Sequence, residues 1–272
     1  MRYDLHTHTY YSDGTASPAE LIASAGAAGL GLLALTDHDT VMGVPYARAA
    51  AAEAGLPFLC GAEIEAEYTS KLHVLALGID PEDVGILFML RAQEERRRER
   101  NERMIKKLCE HGMDVLPYYK ESIGCTTRTH VANALIAGGY AKDVADAFGR
   151  IIGRGCRYFV GCEHPTMREV IDRIEGAGGR AVLAHPHKMR CDHKKLVKSL
   201  ADCGLWGVEV YYPGTTEENI AFFSGLAREH GLNITCGSDY HGVNRPEAQL
   251  GCSFREIPEL EDTYEKIKEL AV

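Results

Sequence analysis

The stretch LGLLALTDHDT, residues 30–40, begins as an apolar run and ends in side chains that can bind a metal ion. Its apolar part has the length of a buried strand, and Asp37, His38 and Asp39 follow it directly. Ligand-type residues at the end of a buried strand are typical of α/β folds, in which the chemistry lies at the carboxyl ends of the strands. The same order, an apolar run followed by side chains that can bind a metal ion, recurs along the chain.

Short apolar segments alternate with helical patterns. Further strands are predicted at RYDLH (2–6), PFLCGAEIEAEY (57–68), KLHVLALGI (71–79), AVLAH (181–185), GVEVYY (207–212) and NITCGSD (233–239), with the second and third of these paired. A helix is predicted from Ser17, because Pro18 occupies the first helical position and Glu20 completes a capping box. The alternation predicts an α/β fold with a largely parallel sheet or barrel covered by helices.

The middle of the chain departs from this alternation. EERRRERNERMIKKLCEHG (94–112) is predicted to form a charged amphipathic helix, and we interpret its charge run as a solvated face, since glutamates interleave with the arginines. Two further helical segments follow. We therefore predict a barrel domain formed by residues 1–94 and 166–272, and a helical insertion at 95–165.

Composition limits the possible partners. The formal net charge of -9 argues against a general nucleic-acid-coating surface and a stable nucleic-acid complex, but it allows a small anionic substrate in a local positive pocket. The N-terminus has no apolar signal region and no apolar run approaches the length of a membrane span, so a cytoplasmic location without membrane association is expected. The nine scattered cysteines are expected to be reduced and mostly buried.

Metal-ligand side chains stand at or near the ends of the predicted strands. They are His6, His8, Asp13, Asp37, His38, Asp39, Glu63, His73, His185, Asp239 and His241. In a parallel barrel the carboxyl ends of the strands share one rim, so these residues are expected to converge. His6 and His8 are two residues apart and point to the same face of a strand. On its own, the spacing leaves both Glu63 and Glu65 open as the ligand from their strand.

The chemistry of this set favours a cluster of metal ions. Imidazoles and carboxylates without thiolates suit manganese, iron or zinc. The ligands are too many for one ion, and two or three divalent ions bridged by a carboxylate fit better. Such a cluster lowers the pKa of a bridging water and clamps phosphoryl oxygens, so hydrolysis of a phosphate ester is the expected reaction.

Together these motifs resemble the polymerase-and-histidinol-phosphatase (PHP) superfamily of metal-dependent phosphoesterases. The motifs stand in the family's order: DLHTH, SDG, TDHDT, GAEI, LHVLALGI, LAHP and GSDYHG. The segment TRTHVANALIAGGYAKDVADAFGRIIGRG resembles the insertion of one branch, which acts on nucleoside 3',5'-bisphosphates and short 5'-phosphorylated RNA. The resemblance implies a distorted (β/α)7 TIM-like barrel, a trinuclear metal site and a helical insertion that caps the active site.

The resemblance also implies a role for each candidate ligand. The first ion would be held by His6, His8, Glu63 and Asp239. Glu63 would bridge to a second ion, held in addition by His73 and His185. The third ion would be held by Asp13, His38 and His241. Catalytic roles are expected for Asp13, His38, Glu63 and His241.

Substrate contacts are expected where this chain departs from the branch. The usual Gly-Arg-Pro-His of the insertion is Thr127-Arg128-Thr129-His130 here, and the usual Gly-Arg-Tyr after LAHP is His187-Lys188-Met189. The residues expected to bind substrate are Arg128, His130, Lys188 and Arg190.

Other polar residues near the predicted strand ends or along the chain are not expected to bind metal. Asp4 and Asp39 are expected to orient an imidazole or to cap backbone groups rather than to bind metal. Surface positions are expected for His111, His164, His193 and His230. Tyr211 and Tyr212 end a strand near the rim, where one could contact a base, or both could pack in the core.

The leading functional hypothesis is a metal-dependent phosphoesterase. It would remove the 3'-phosphate of nucleoside 3',5'-bisphosphates and also trim short 5'-phosphorylated RNA. One alternative is a histidinol-phosphate phosphatase. An alternative from another class is a non-catalytic metal-binding or polymerase-associated module. An amidohydrolase would usually need a bridging lysine, and no strand end supplies one.

Overall fold

The computed structural model describes residues 1–69 and 71–272, in which seven strands form one sheet in chain order. The strands are β1 (Tyr3–Asp4), β2 (Leu32–Leu35), β3 (Phe58–Ala66), β4 (Leu72–Leu77), β5 (Arg180–Leu183), β6 (Gly207–Tyr211) and β7 (Asn233–Cys236). The first and last strands also meet, because Leu5 N donates to Cys236 O (3.3 Å) and His8 N donates to Tyr240 O (2.9 Å). The sheet therefore closes into a barrel, and the predicted α/β barrel is confirmed.

The barrel is parallel except at β4, which runs antiparallel to both β3 and β5. The predicted pairing of the third and fourth strands is confirmed. The reversal has a consequence for the site. The amino end of β4 lies at the rim where the other strands have their carboxyl ends, so His73, near the start of β4, faces the same mouth as residues that end other strands.

Helices cover the barrel and form the insertion. They are α1 (Pro18–Ala27), α2 (Val44–Ala54), α3 (Val84–Cys109), α4 (Arg128–Ala137), α5 (Val144–Ala147), α6 (Met167–Gly176), α7 (His193–Ala201), α8 (Glu217–Glu229) and α9 (Pro258–Ile267). The predicted capping box of α1 is present: Glu20 N donates to Ser17 Oγ, and Ser17 N donates to Glu20 Oε2.

Helix α3 belongs to two hydrophobic cores. Ile86 and Leu90, in its first turns, pack in the barrel core. Met104 and Leu108, nearer its end, pack in a separate core within the insertion. Full burial of such side chains stabilises each core by about 1.5–3 kcal/mol per residue. The helix begins well before the predicted residue 94, and the proposed domain boundary falls inside it, between the turns that serve the two cores.

The interpretation of the α3 charge run as a solvated face is wrong for two residues. Arg97 and Arg100 are 3% and 2% exposed, and Asn101 is fully buried. These residues share the face of α3 that carries Leu90 and Met104. That face is covered because the helix lies between the barrel and the insertion, whereas the intervening Arg98 is exposed.

Two expectations from composition have mixed outcomes. None of the helices in the described ranges combines the length and apolarity that a membrane span requires. The nine cysteines are free, as expected, but only Cys60, Cys125 and Cys236 are buried, so the expectation that most are buried is wrong.

Candidate metal centre

All nine residues assigned as metal ligands meet at one mouth of the barrel, and none is more than 8% exposed. They are His6, His8, Asp13, His38, Glu63, His73, His185, Asp239 and His241. The strand ends place them there, as the sequence pattern predicts. Three groups of these ligand atoms lie within 4.8 Å of one another: His6, His8, Glu63 and Asp239; His8, Asp13, His38 and His241; and His38, Glu63 and His73.

Glu63 lies at the centre of this cluster. Its carboxylate oxygens face the imidazoles of His6, His8, His38, His73 and His185. Glu63 Oε2 lies 3.3 Å from His8 Nε2 and 3.0 Å from His38 Nδ1. Glu63 Oε1 lies 2.9 Å from His185 Nε2. This carboxylate is therefore placed to share its two oxygens between neighbouring cations.

The donor atoms fit divalent ions. Several buried donor atoms have no hydrogen-bond partner in the described chain, namely His6 Nε2, His8 Nε2, Asp13 Oδ1, His38 Nδ1 and His73 Nε2. A buried polar atom without a partner costs about 1–3 kcal/mol. Five such atoms in one place therefore indicate that they bind a group from outside the chain. Two ligands about 2.0–2.2 Å from one ion stand roughly 3–3.6 Å apart, which matches the nitrogen–oxygen distances around Glu63.

The electrostatics of the cluster favour cations. Burial alone would raise the pKa of Glu63, but the neighbouring His73 and His6 lower it well below its usual range. Burial lowers the pKa of His38 and of His185 to about 3, so both imidazoles are neutral and able to coordinate. Burial would likewise lower the pKa of His8, but Asp239 and Glu63 raise it to about 9. In the absence of metal, protons bound to histidines therefore offset the negative charge of the carboxylates. Metal binding would release these protons.

Glu209 orients two of the histidines, and the sequence interpretation missed it. Its Oε1 lies 3.0 Å from His6 Nδ1, and its Oε2 accepts a hydrogen bond from His185 N (2.7 Å). A Cβ at Gly237 would lie 2.4 Å from Glu209 Oε1, so glycine is needed for this approach. The available signal was a single carboxylate within the apolar segment GVEVYY.

The two predicted orienting aspartates act differently. Asp4 accepts backbone hydrogen bonds from His6, Ser238 and Gly251, so its role as a backbone cap is confirmed. Asp39 Oδ1 accepts a backbone hydrogen bond from Glu65 N at 3.4 Å, so a role as a backbone cap is confirmed for Asp39 as well. Unlike Asp4, Asp39 also pairs with a cation, because its Oδ2 accepts a hydrogen bond from Arg97 Nε at 2.5 Å.

Arg97 ties Asp39 to Glu65 beside the metal cluster. Arg97 Nη2 lies 3.1 Å from Glu65 Oε2, and all three side chains are buried. His164 Nε2 lies 3.5 Å from Glu65 Oε1, and burial lowers the pKa of His164 to about 4. The surface assignment of His164 is therefore wrong, because the insertion folds back over the edge of the barrel. Of the other histidines given surface positions, His111 is exposed, while His193 and His230 are partly buried.

The residues expected to bind substrate are divided between two places. Lys188 and Arg190 line a cavity of about 680 Å³ over the cluster, together with Arg245, which was not predicted. Arg128 lines a neighbouring cavity. His130 lines neither, because its Nδ1 accepts a hydrogen bond from Thr127 N and caps α4. This position of His130 does not support its predicted contact with substrate.

Tyr212 reaches the cluster, whereas Tyr211 packs in the barrel core. Tyr212 Oη donates to Asp239 Oδ2 (2.6 Å), and Lys188 Nζ lies 3.4 Å from the same oxygen. Arg245 also pairs with Asp239. One carboxylate oxygen of Asp239, Oδ1, therefore faces the histidines. The other, Oδ2, contacts Tyr212, Lys188 and Arg245. Nothing in the spacing of the sequence marks Arg245.

The insertion touches the cluster through two hydroxyl groups. Thr127 Oγ1 and Thr129 Oγ1 each donate to Asp13 Oδ2 at 2.9 Å. Asp13 Oδ1 remains free to face His241 Nε2 at 3.2 Å. These two threonines stand at the positions where the branch has glycine and proline, neither of which carries a hydroxyl.

Three residues at the mouth have a left-handed backbone. Asp39, His185 and Asp239 have φ values of 47°, 31° and 53°, and they are the non-glycine residues with positive φ in the described chain. Such conformations cost of order 1–3 kcal/mol each and persist when the surrounding structure enforces them.

Comparisons with known proteins agree with this geometry. The PHP domain model matches residues 4–238. The 3',5'-nucleoside bisphosphate phosphatase of Chromobacterium violaceum is 34% identical over 256 residues, which cover 91% of this chain and 90% of that protein. The 5'-3' exoribonuclease of Haemophilus influenzae is 32% identical over 246 residues, 88% of this chain and 90% of that protein. A solved structure from Bifidobacterium adolescentis, described as a metal-dependent phosphoesterase, superposes with a TM-score of 0.89 at 34% identity and covers 99% of this chain and 96% of its own.

Proposed function

Because this chain belongs to the PHP domain family and is a metal-dependent phosphoesterase, we propose that it removes the 3'-phosphate of nucleoside 3',5'-bisphosphates. Short 5'-phosphorylated RNA would be a second substrate, as the names of its exoribonuclease relatives suggest. The observation that carries the proposal is the buried His/Asp/Glu cluster around Glu63, with cationic side chains lining the cavity above it.

We propose that the nine ligands hold two or three divalent ions of manganese, iron or zinc. Glu63 would bridge the first, held by His6, His8 and Asp239, and the second, held by His73 and by His185, whose Nε2 lies 2.9 Å from Glu63 Oε1, while Asp13, His38 and His241 would hold the third. Bound there, the ions would lower the pKa of a water molecule and neutralise the oxygens of the reacting phosphate.

The chain's own residues bind and orient the substrate. Lys188, Arg190 and Arg245 line the cavity and give it a positive wall in a chain whose net charge is -9. Such a wall attracts a phosphate and can hold it in one orientation, since charge-assisted hydrogen bonds are strong and directional. Glu209 and Tyr212 hold His6 and Asp239 in place, so that the reacting phosphate meets a rigid set of ligands.

We also propose that residues 95–165 cap this mouth, because Thr127 and Thr129 reach Asp13 directly. A cytoplasmic location remains part of the proposal. Contact with RNA is expected to be transient, since the negative net charge disfavours a broad nucleic-acid surface.

The metal content is a first prediction. We expect at least two divalent ions per chain in metal-replete protein, about 3.5–4 Å apart, because Glu63 stands between separate groups of histidines. Elemental analysis gives the stoichiometry, and anomalous scattering gives the separation. One ion per chain under saturating metal would contradict the cluster.

The reaction is tested by phosphate release with manganese. The substrates are a nucleoside 3',5'-bisphosphate, histidinol phosphate, a short 5'-phosphorylated RNA and p-nitrophenyl phosphate. We expect the highest kcat/KM for the bisphosphate. A preference for histidinol phosphate would support the alternative phosphatase, and no hydrolysis by metal-loaded protein would overturn the proposal.

A further inference from the structure

The insertion contacts the barrel beside the metal centre through residues 122–129, which we call the docking segment. This segment lies against the loop that follows β1, because Cys125 N donates to Tyr11 O (2.8 Å). A Cβ at Gly124 would clash with the same carbonyl oxygen, so the close approach of the two backbones requires glycine. The docking segment is therefore fitted to the loop that also carries Asp13.

Helix α3 also holds the docking segment. Asn101, which is fully buried, donates from Nδ2 to Thr126 O (3.0 Å) and to Thr127 O (3.2 Å). Its Oδ1 accepts a hydrogen bond from Arg100 Nε (2.8 Å), so both polar groups of the amide have partners. Because the backbone of Thr127 is anchored in this way, its side chain has a fixed position beside the metal centre.

The docking segment reaches one oxygen of Asp13 and leaves the other free. Thr127 Oγ1 and Thr129 Oγ1 both donate to Oδ2, each at 2.9 Å. The second oxygen, Oδ1, is buried and has no hydrogen-bond partner in the described chain. It lies 3.2 Å from His241 Nε2 and 3.8 Å from His38 Nε2. The insertion therefore satisfies one oxygen, while the other faces the imidazoles proposed for the third ion.

This division determines how Asp13 can bind a metal ion. A carboxylate can bind an ion with one oxygen or with both. Turning Asp13 to present both oxygens would break two charge-assisted hydrogen bonds, which are stronger than neutral ones. The two hydroxyl groups thus favour binding through Oδ1 alone and fix its direction before an ion arrives. Partners that orient a metal ligand in this way contribute roughly ten- to a hundredfold to metal affinity.

We propose that Thr127 and Thr129 are positioning residues for the third ion, through which the insertion holds Asp13 as a one-oxygen ligand. This role rests on the proposed metal cluster. It goes further, because it links the ion held by Asp13, His38 and His241 to the position of the insertion. The link is reciprocal: a docked insertion strengthens binding of this ion, and the bound ion strengthens docking.

Thr129→Val tests this role most directly, because valine has nearly the shape of threonine but lacks the hydroxyl. Thr129 Oγ1 donates to Asp13, whereas Thr127 Oγ1 also accepts a hydrogen bond from Thr129 N and caps α4. Replacement of Thr127 would therefore disturb the helix as well. Thr129→Ser keeps the hydroxyl. Thr126→Val is the matched control, since it removes a buried hydroxyl from the same segment that accepts from Ser122 N (3.0 Å).

The first measurement is the metal occupancy of each position, from anomalous scattering by crystals soaked at controlled free manganese. We compare the variants at the concentration that half fills the third position in the wild type. Occupancy there should fall to about a tenth or less in Thr129→Val, since the affinity is expected to drop roughly ten- to a hundredfold. Thr129→Ser and Thr126→Val should keep the wild-type occupancy. The two ions beside Glu63 are the internal control and should be unaffected.

The second measurement separates this link from a general effect on folding. Exchange of the Cys125 amide hydrogen reports whether the docking segment is in place, because Cys125 N donates to Tyr11 O. We expect manganese to slow this exchange in the wild type and in Thr129→Ser, but much less in Thr129→Val. If Thr129 only supports the fold, exchange becomes faster with and without manganese, and the slowing caused by the metal stays as large as in the wild type. That result would overturn the link.

The outcomes for this link and for the proposed reaction are distinct. Wild-type occupancy in Thr129→Val, or an equal loss in Thr126→Val, would overturn the role of Thr129 while the metal cluster stands. Two bound ions, with none between Asp13, His38 and His241 at saturating manganese, would also overturn it and would leave a phosphoesterase with two ions. A wild-type chain that binds no manganese would overturn the proposed cluster together with the link.

Discussion

Replacement of Glu63 by glutamine is expected to lower kcat/KM for phosphoester hydrolysis by roughly a thousandfold or more. The carboxylate faces five imidazoles and stands between the proposed first and second ions. An amide carries no charge and offers only one oxygen, so both ions would be held less well. Metal ions contribute several kcal/mol to the stabilisation of the transition state, and about 1.4 kcal/mol corresponds to a factor of ten in rate.

Glu65→Gln is the matched control for this prediction. Glu65 lies on the same strand, is also buried, and undergoes the same chemical change, but it is paired with Arg97. We expect a smaller loss of activity and an unchanged metal content. Both variants are compared by kcat/KM and by elemental analysis, with thermal unfolding as a check of folding. A larger loss of bound metal in Glu65→Gln would identify Glu65 as the bridging ligand.

Replacement of Arg97 by methionine is expected to reduce the free energy of unfolding by about 3–5 kcal/mol. The change leaves Asp39 and Glu65 buried without their shared cation, and removal of one partner from a buried ion pair has an effect of this size. The measurement is urea unfolding of metal-free protein, so that altered metal binding does not contribute.

Arg98→Met serves as the control for Arg97→Met. Arg98 pairs with Glu95, but both side chains are about half exposed. Exposed pairs of this kind contribute about 0–1 kcal/mol. Equal losses in the two variants would show that the buried network adds no more stability than a surface pair, and would contradict the stabilising role of Arg97 between Asp39 and Glu65.

The convergence of the proposed ligands could be predicted from the sequence because strand periodicity and strand ends are local properties. An apolar run followed by Asp37 and His38 already places those side chains at a rim, and a closed barrel brings the rims together. His73 reaches the same rim for a different reason. It stands at the start of its strand, and the antiparallel direction of β4 brings that end to the mouth.

Two buried positive groups beside the cluster could not be predicted in the same way. Arg97 and Arg100 lie in a helix whose sequence alternates acids and bases, a pattern that ordinarily indicates a solvated face. Their burial depends on the insertion covering that face, which is a tertiary contact without a local signal. Glu209 orients His6 across 203 positions of sequence, so no spacing rule relates the two residues.

The left-handed backbone at Asp39, His185 and Asp239 sets a limit for protein engineering. At Asp39 the pair with Arg97 opposes any change, but glycine at His185 or Asp239 would relax the backbone, and a campaign that selects only for heat tolerance would tend to accept it. Each such gain would remove a side chain from the mouth of the barrel. At His185 and Asp239, thermal tolerance and the proposed metal binding therefore compete, and variants intended for use at high temperature should gain their stability elsewhere, for example in the separate core of the insertion.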